Sequence, residues 1–186
     1  AAITLSENDF AYSFSEIAAH YVERIFEQVG YHFDLRVCLK NLPRTNIIST
    51  PDIFEDLDYT TETPLESTHN ITLVCETNAL CTGFLVWLTL YTDQQNMIDT
   101  LEQQESWLPV YLPVFEPGVV VSSGDVICAT ISRRLCENNL NPDYFIAGRI
   151  ERQYAKALTF RYSSYHCQQV TKGSPFYAKL FAGDKI

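Results

Sequence analysis

Four histidines stand far apart in the chain (His20, His32, His69, His166), and no two of them share the i, i+4 spacing that lets a helix present a pair of ligands to zinc. The six cysteines (Cys38, Cys75, Cys81, Cys128, Cys136, Cys167) form no CxxC or CxxxC pair, which removes the usual zinc signatures. No metal site is therefore expected. A serine nucleophile would need a strained turn and a base to take its proton, and neither Ser122-Ser123 nor Ser163-Ser164 sits in a GxSxG elbow. No cysteine has neighbours that mark a Cys–His nucleophile, so the catalytic residues expected in this chain are none. The densest carboxylate group is Asp52, Glu55, Asp56 and Asp58, for which a solvated strand face is the plainest explanation.

Cofactor chemistry is equally unsupported. A dinucleotide or sulfonium pocket is normally cradled by a glycine-rich strand-to-helix turn, and no GxGxxG turn occurs among the seven glycines. Cofactor-binding residues are accordingly none. The formal charge of −10 argues against nucleic acid as a partner, because phosphate neutralisation needs clustered Lys and Arg and the 13 present are scattered. It suits the attraction of a basic peptide instead. Cys75 and Cys81 flank Asn78 symmetrically, a spacing compatible with a cross-strand disulfide, although reduced thiols in a cytoplasmic protein are the simpler expectation. Asn70-Ile71-Thr72 is a glycosylation sequon that carries meaning only in a secreted protein.

The elements that would position such residues are mainly strands. With 186 residues, 46% hydrophobic and rich in Tyr and Phe, the chain can bury one substantial core and favours pleated surfaces. Ser15 to Val29 carries apolar residues at Ile17, Ala18, Tyr21, Val22, Ile25, Phe26 and Val29, which predicts one amphipathic helix ended by Gly30. From Thr45 the period falls to two. Strands are expected at 46–49, 53–59, 71–76, 82–92, 107–115, 119–122, 125–133, 144–150 and 158–162. The fold class expected is mainly β, an antiparallel β-barrel or sandwich with one N-terminal helix. Its parts would be a helical segment at 1–30 (an arm or a barrel plug), the β-domain at 31–162 and an extension of unassigned role at 163–186.

Two strands carry positional information. Gly83 to Tyr91 is apolar on both faces, so its outer side needs cover. Pro109 and Pro113 remove two ladder donors, so the strand around them is expected at a sheet edge or beside a bulge. The stretches 93–105 and 134–143 read as loops. No window of eighteen uncharged apolar residues exists, so no transmembrane helix and no membrane partner are expected. Ala1 and the single Met97 imply a sequence that starts mid-protein or after processing.

Gly83-Phe84-Leu85-Val86-Trp87, a polar loop, Ser106-Trp107-Leu108-Pro109-Val110-Tyr111-Leu112-Pro113-Val114, then Val121-Ser122-Ser123-Gly124-Asp125-Val126-Ile127 follow one another in an order and spacing that resemble the C-terminal β-barrel of protein arginine methyltransferases. Val29 to Leu35 resembles that family's entry into the barrel, and Ser49 to Asp58 its first barrel strands. The resemblance spans about residues 15 to 152. Where the common branch of the family has threonine-histidine-tryptophan, this chain has Glu105-Ser106-Trp107. The serine and the following prolines are closer to the symmetric-dimethylating (type II) branch, while Glu105 departs from both.

The resemblance implies a substrate-binding and assembly domain within an S-adenosylmethionine-dependent enzyme. Glu105, Ser106 and Trp107 would be its substrate-binding residues, with Trp107 packed against the cofactor domain; on its own, Trp107 reads as a large core anchor at a strand start. The implied partners are a Rossmann-type methyltransferase domain, a basic protein or peptide substrate and a second copy in a homodimer. S-adenosylmethionine belongs to the parent enzyme and not to this chain, which alone would not catalyse methyl transfer. The alternative is a stand-alone, non-catalytic β-barrel interaction module binding a basic protein partner. A further alternative, a secreted glycan-binding domain, requires the Cys75–Cys81 bridge and a glycan on Asn70.

Overall fold

The computed structural model describes residues 1–5, 37–93, 95–103, 107–115, 118–135 and 142–163. The helix expected over Ser15 to Val29 and the extension after residue 163 lie outside the described residues. Within them the chain is mainly β and antiparallel. A first sheet joins β1 (Ala2–Ile3), β5 (Gly83–Val86), β8 (Val110–Leu112) and β2 (Val37–Cys38) in that order. A second joins β12 (Leu158–Ser163), β11 (Pro142–Glu151), β10 (Val126–Leu135) and β3 (Ser67–Val74). Two short pairs complete the set: β4 (Ala79–Cys81) with β9 (Val119–Val121), and β6 (Thr89–Tyr91) with β7 (Met97–Asp99).

The period-two pattern of the long strands decides what is buried. Ile127, Ala129 and Ile131 of β10 alternate inward with Ile146 and Ile150 of β11 and Ile71 and Leu73 of β3. From the other sheet Phe84 and Leu112 point into the same core, joined by Cys81 and Val121 of the β4–β9 pair. Phe84, Phe115 and Phe160 close the gap between the two sheets, with ring centroids 4.8–6.0 Å apart and edge-to-face tilts. The opposite side of the first sheet has a core of its own, in which Leu85 packs with Ile3, Leu101 and Tyr111. The cover anticipated for the doubly apolar Gly83 segment is thus present.

Four expectations need correction. Among the described residues the strands do not close into a barrel. On one side the segment from Asn46 to Thr50, after a 3-10 turn at Arg44–Asn46, stitches β1 to the end of β3: Ile48 N donates to Ala2 O, and Thr50 N donates to Val74 O. On the other side β2 and β12 belong to different sheets and do not pair. The expected run over 82–92 breaks after Val86, and β6 turns away to form a hairpin with β7, which falls in the 93–105 stretch read as a loop.

The proline-flanked strand is not at an edge, since β8 pairs with β5 on one side and β2 on the other. Its ladder is only three residues long, so Pro109 and Pro113 fall just outside it and cost no donor; Pro109 O still accepts from Leu39 N. Finally, 53–59 is a loop and not a strand, because side chains take over its edge contacts. Asp52 Oδ2 accepts from Thr72 N at 2.7 Å and Thr50 Oγ1 from Val74 N at 2.9 Å, so no second ladder forms there.

Candidate functional site: a pinned acidic loop

The loop 51–66 contains six carboxylates (Asp52, Glu55, Asp56, Asp58, Glu62, Glu66) and no Lys, Arg or His. Its position follows from β10 and β11, whose inward rows end in Arg133 and Tyr144, directly opposite each other in the ladder. At this end of the sheet the aliphatic core gives out, and the loop folds over it. Glu55 reaches across: its Oε1 lies 2.5 Å from Arg133 Nη1, and its Oε2 accepts from Tyr144 Oη at 2.9 Å. Arg133 Nη2 also donates to the Pro64 carbonyl, and Phe54 stacks at a tilt on Tyr144 with centroids 5.4 Å apart. Both flanks of the loop are therefore fixed to the sheet by the guanidinium of Arg133, a residue only 9% exposed.

Between those two anchor points the chain is held in solvent, with Asp56, Asp58, Glu62 and Tyr59 (73% exposed) open to water, and Leu65 and Glu66, just past the second anchor, are exposed as well. Thr60 donates to Asp58 Oδ1 from its backbone N–H at 2.9 Å and its hydroxyl at 2.6 Å, and these bonds lower the Asp58 pKa below the ordinary carboxylate value. The same two bonds close the turn over residues 58–60 and favour the ionised carboxylate. What this arrangement can do chemically is present several negative charges and an exposed aromatic ring on one loop whose backbone is anchored to the sheet, the pairing that suits a guanidinium or ammonium group.

The acidic group singled out in the sequence is therefore not the solvated strand face it resembled. Asp52 caps a backbone donor, Glu55 is a half-buried ion-pair partner, and Asp56 and Asp58 belong to an exposed loop. The roles of Arg133 and Tyr144 were not foreseen. Glu55 and Tyr144 are 89 positions apart, and the only local hint was an arginine continuing the inward row of Ile127, Ala129 and Ile131.

Of the residues expected to contact substrate, Glu105 and Ser106 lie outside the described residues. Trp107 is described, and it is 55% exposed, so the reading of it as a core anchor is incorrect. The following residues turn inward at once, with Pro109 fully buried, and the indole stays at the surface. Cys75 and Cys81 are buried, unbridged thiols in the main core, and burial pushes their pKa values up to about 11 and about 12. The bridge that a secreted glycan-binding domain would require is not formed.

Among the described residues no group of His, Cys, Asp or Glu is arranged to hold a metal ion, and no helix is long and apolar enough to cross a membrane. A scan against protein-family models finds no match, and a search of curated proteins finds none either.

Proposed function

We propose that this chain is the substrate-binding and assembly β-domain of an S-adenosylmethionine-dependent protein arginine methyltransferase-like protein of the type II kind, and that it holds a basic protein or peptide through the 51–66 loop. The observation that carries the reading is the loop itself: three exposed carboxylates (Asp56, Asp58 and Glu62) and Tyr59, held between the Glu55–Arg133 ion pair and the Pro64 carbonyl contact, with Glu66 exposed just beyond. A loop already anchored to the sheet loses less backbone freedom on binding, which helps a small acidic patch to select a cationic segment. The exposed indole of Trp107 supports a role facing a neighbouring unit, in this proposal the Rossmann-type domain that carries the cofactor. Within that enzyme the cofactor domain supplies the methyl group, and this domain supplies orientation of the acceptor segment. The buried, reduced Cys75 and Cys81 favour a cytoplasmic location.

A second reading is favoured by the same loop, which needs no partner domain to hold its shape. The chain would then be a stand-alone, non-catalytic interaction module for a basic partner. Calorimetric titration of the whole chain with an arginine-rich peptide tests both readings. Binding that is weakened by salt and lost in Asp56→Lys/Asp58→Lys supports them, and no binding at low salt overturns them. Covalent or engineered pairing with a Rossmann methyltransferase domain then separates them: gain of arginine methylation selects the first.

A further inference from the structure

The second sheet ends in two edge strands, β12 and β3. Strand β3 pairs with β10 on one side, and its other side is sealed only towards the C-terminal end. There the N–H groups of Thr72 and Val74 point away from β10 and donate to Asp52 Oδ2 and Thr50 Oγ1, while Val74 O accepts from Thr50 N. The direction of the ladder groups alternates along a strand, so the N–H and C=O of Thr68 and Asn70 point the same way as those of Thr72 and Val74. Among the described residues the main-chain groups of Thr68 and Asn70 on this edge have no hydrogen-bond partner, and both residues are exposed.

An open strand edge is a template for one more strand, and proteins normally blunt it. Here the blunting stops at Thr72, and the open stretch from Ser67 to Asn70 is bracketed by acids. Asp52 is exposed at the Thr72 end, and the exposed Glu66 immediately precedes Ser67. Arg133, which anchors the 51–66 loop, stands opposite Ser67 in the ladder, so the acidic loop leaves the sheet at this end of the strand. The other edge strand, β12, carries Arg161 and no acid. Charge thus separates the two edges: β3 suits a cationic strand, and its acids oppose pairing with the same edge of another copy.

We propose that the open edge of β3 takes up an extended segment of a basic protein as an added strand. The main chain of that segment pairs with Thr68 and Asn70, and its Arg or Lys side chains meet Asp52, Glu66 and the acidic loop. Strand addition draws affinity from main-chain hydrogen bonds and selectivity from side chains, which is the division seen between this edge and the loop beside it. A helical segment is a poorer occupant, because its own turns already use its amides. A proline at a pairing position is excluded for want of a donor. This mode of docking rests on the proposed reading of the chain as a receptor for a basic segment, and adds the conformation in which that segment is held.

Amide hydrogen exchange and calorimetric titration of the whole chain test it with an arginine-rich peptide in three forms: unmodified, N-methylated at every second amide, and N-methylated at every amide. At saturation the unmodified peptide should slow exchange of the Thr68 and Asn70 amides at least about tenfold. Thr72 and Val74, whose amides already donate to side chains, should change little. The half-methylated peptide keeps one donating edge and should bind within about threefold of the unmodified form, whereas the fully methylated one, with the same charge, should bind at least about tenfold more weakly. Exchange at Thr68 and Asn70 that stays fast in the saturated complex, or equal affinity of the two methylated forms, overturns strand addition and leaves the charge-based reading standing. An unmodified peptide that does not bind at low salt overturns that reading, and strand addition with it.

Discussion

Glu55 Oε1 and Arg133 Nη1 meet at 2.5 Å beneath the 51–66 loop, where both side chains are largely withdrawn from water. A guanidinium and a carboxylate so placed compensate each other's desolvation, and removing one strands the other. Arg133→Met is expected to destabilise the fold by about 3 kcal/mol, because the Glu55 carboxylate remains in a low-dielectric site without its counter-charge. Adding Glu55→Leu to that variant should recover most of the loss, since an apolar pair of similar size suits the end of an aliphatic core. Urea unfolding of the two variants checks the claim, and a double variant no more stable than the single one would refute it.

Tyr144→Phe should be milder. It removes one hydrogen bond to Glu55 Oε2 and leaves the ring stacked on Phe54, for a cost of about 1 kcal/mol. Backbone protection should fall first in 51–66, and hydrogen exchange reads that locally.

Gly83 begins β5 and packs against its neighbour β8. A Cβ there would collide with the Leu112 carbonyl oxygen and come within 2.8 Å of the Tyr111 ring. Gly83→Ala is therefore expected to cost about 1–3 kcal/mol through overpacking, with thermal unfolding as the readout.

Much of this architecture was legible in the chain, for reasons that are local. Alternation along β10, β11 and β12 reflects a sheet with one buried face, and the double apolarity of Gly83 to Leu85 reflects a segment with a core on each side. The turn before β10 was visible in Gly124, whose φ of +88° suits glycine. What could not be read depends on distant partners. Nothing near residue 55 announces Arg133 or Tyr144, and the apparent alternation of 53–59 was misleading because Asp52 and Thr50 satisfy the β3 edge with side chains. The prolines around β8 suggested an edge because ladder length is a property of the sheet, not of the strand.

Burial raises the pKa of Cys75 to about 11 and of Cys81 to about 12, from an ordinary value of 9.0. The folded state thus prefers both thiols protonated. Their contribution to stability is fully present below pH 9 and is lost as pH rises from there through 11 to 12, because the unfolded thiols ionise first. Alkylation at neutral pH should modify the exposed Cys38 quickly and spare Cys75 and Cys81 until the protein unfolds, which mass spectrometry of peptide fragments can follow.

Trp107→Ala is expected to change stability by no more than about 0.5 kcal/mol, as for other surface substitutions. Under the enzyme-domain reading it should lower affinity for a supplied cofactor domain at least about tenfold, the cost of removing an aromatic anchor from an interface. A large loss of stability with no effect on docking would make the indole a packing residue after all.

The central claim is that the pinned loop 51–66 receives a basic segment, and amide chemical-shift mapping during titration with an arginine-rich peptide tests it most directly. The account predicts saturable shifts concentrated between Asp56 and Glu66, reduced by salt and absent in Asp56→Lys/Asp58→Lys. Shifts centred on any other surface, or the same shifts in the charge-reversed variant, would contradict it.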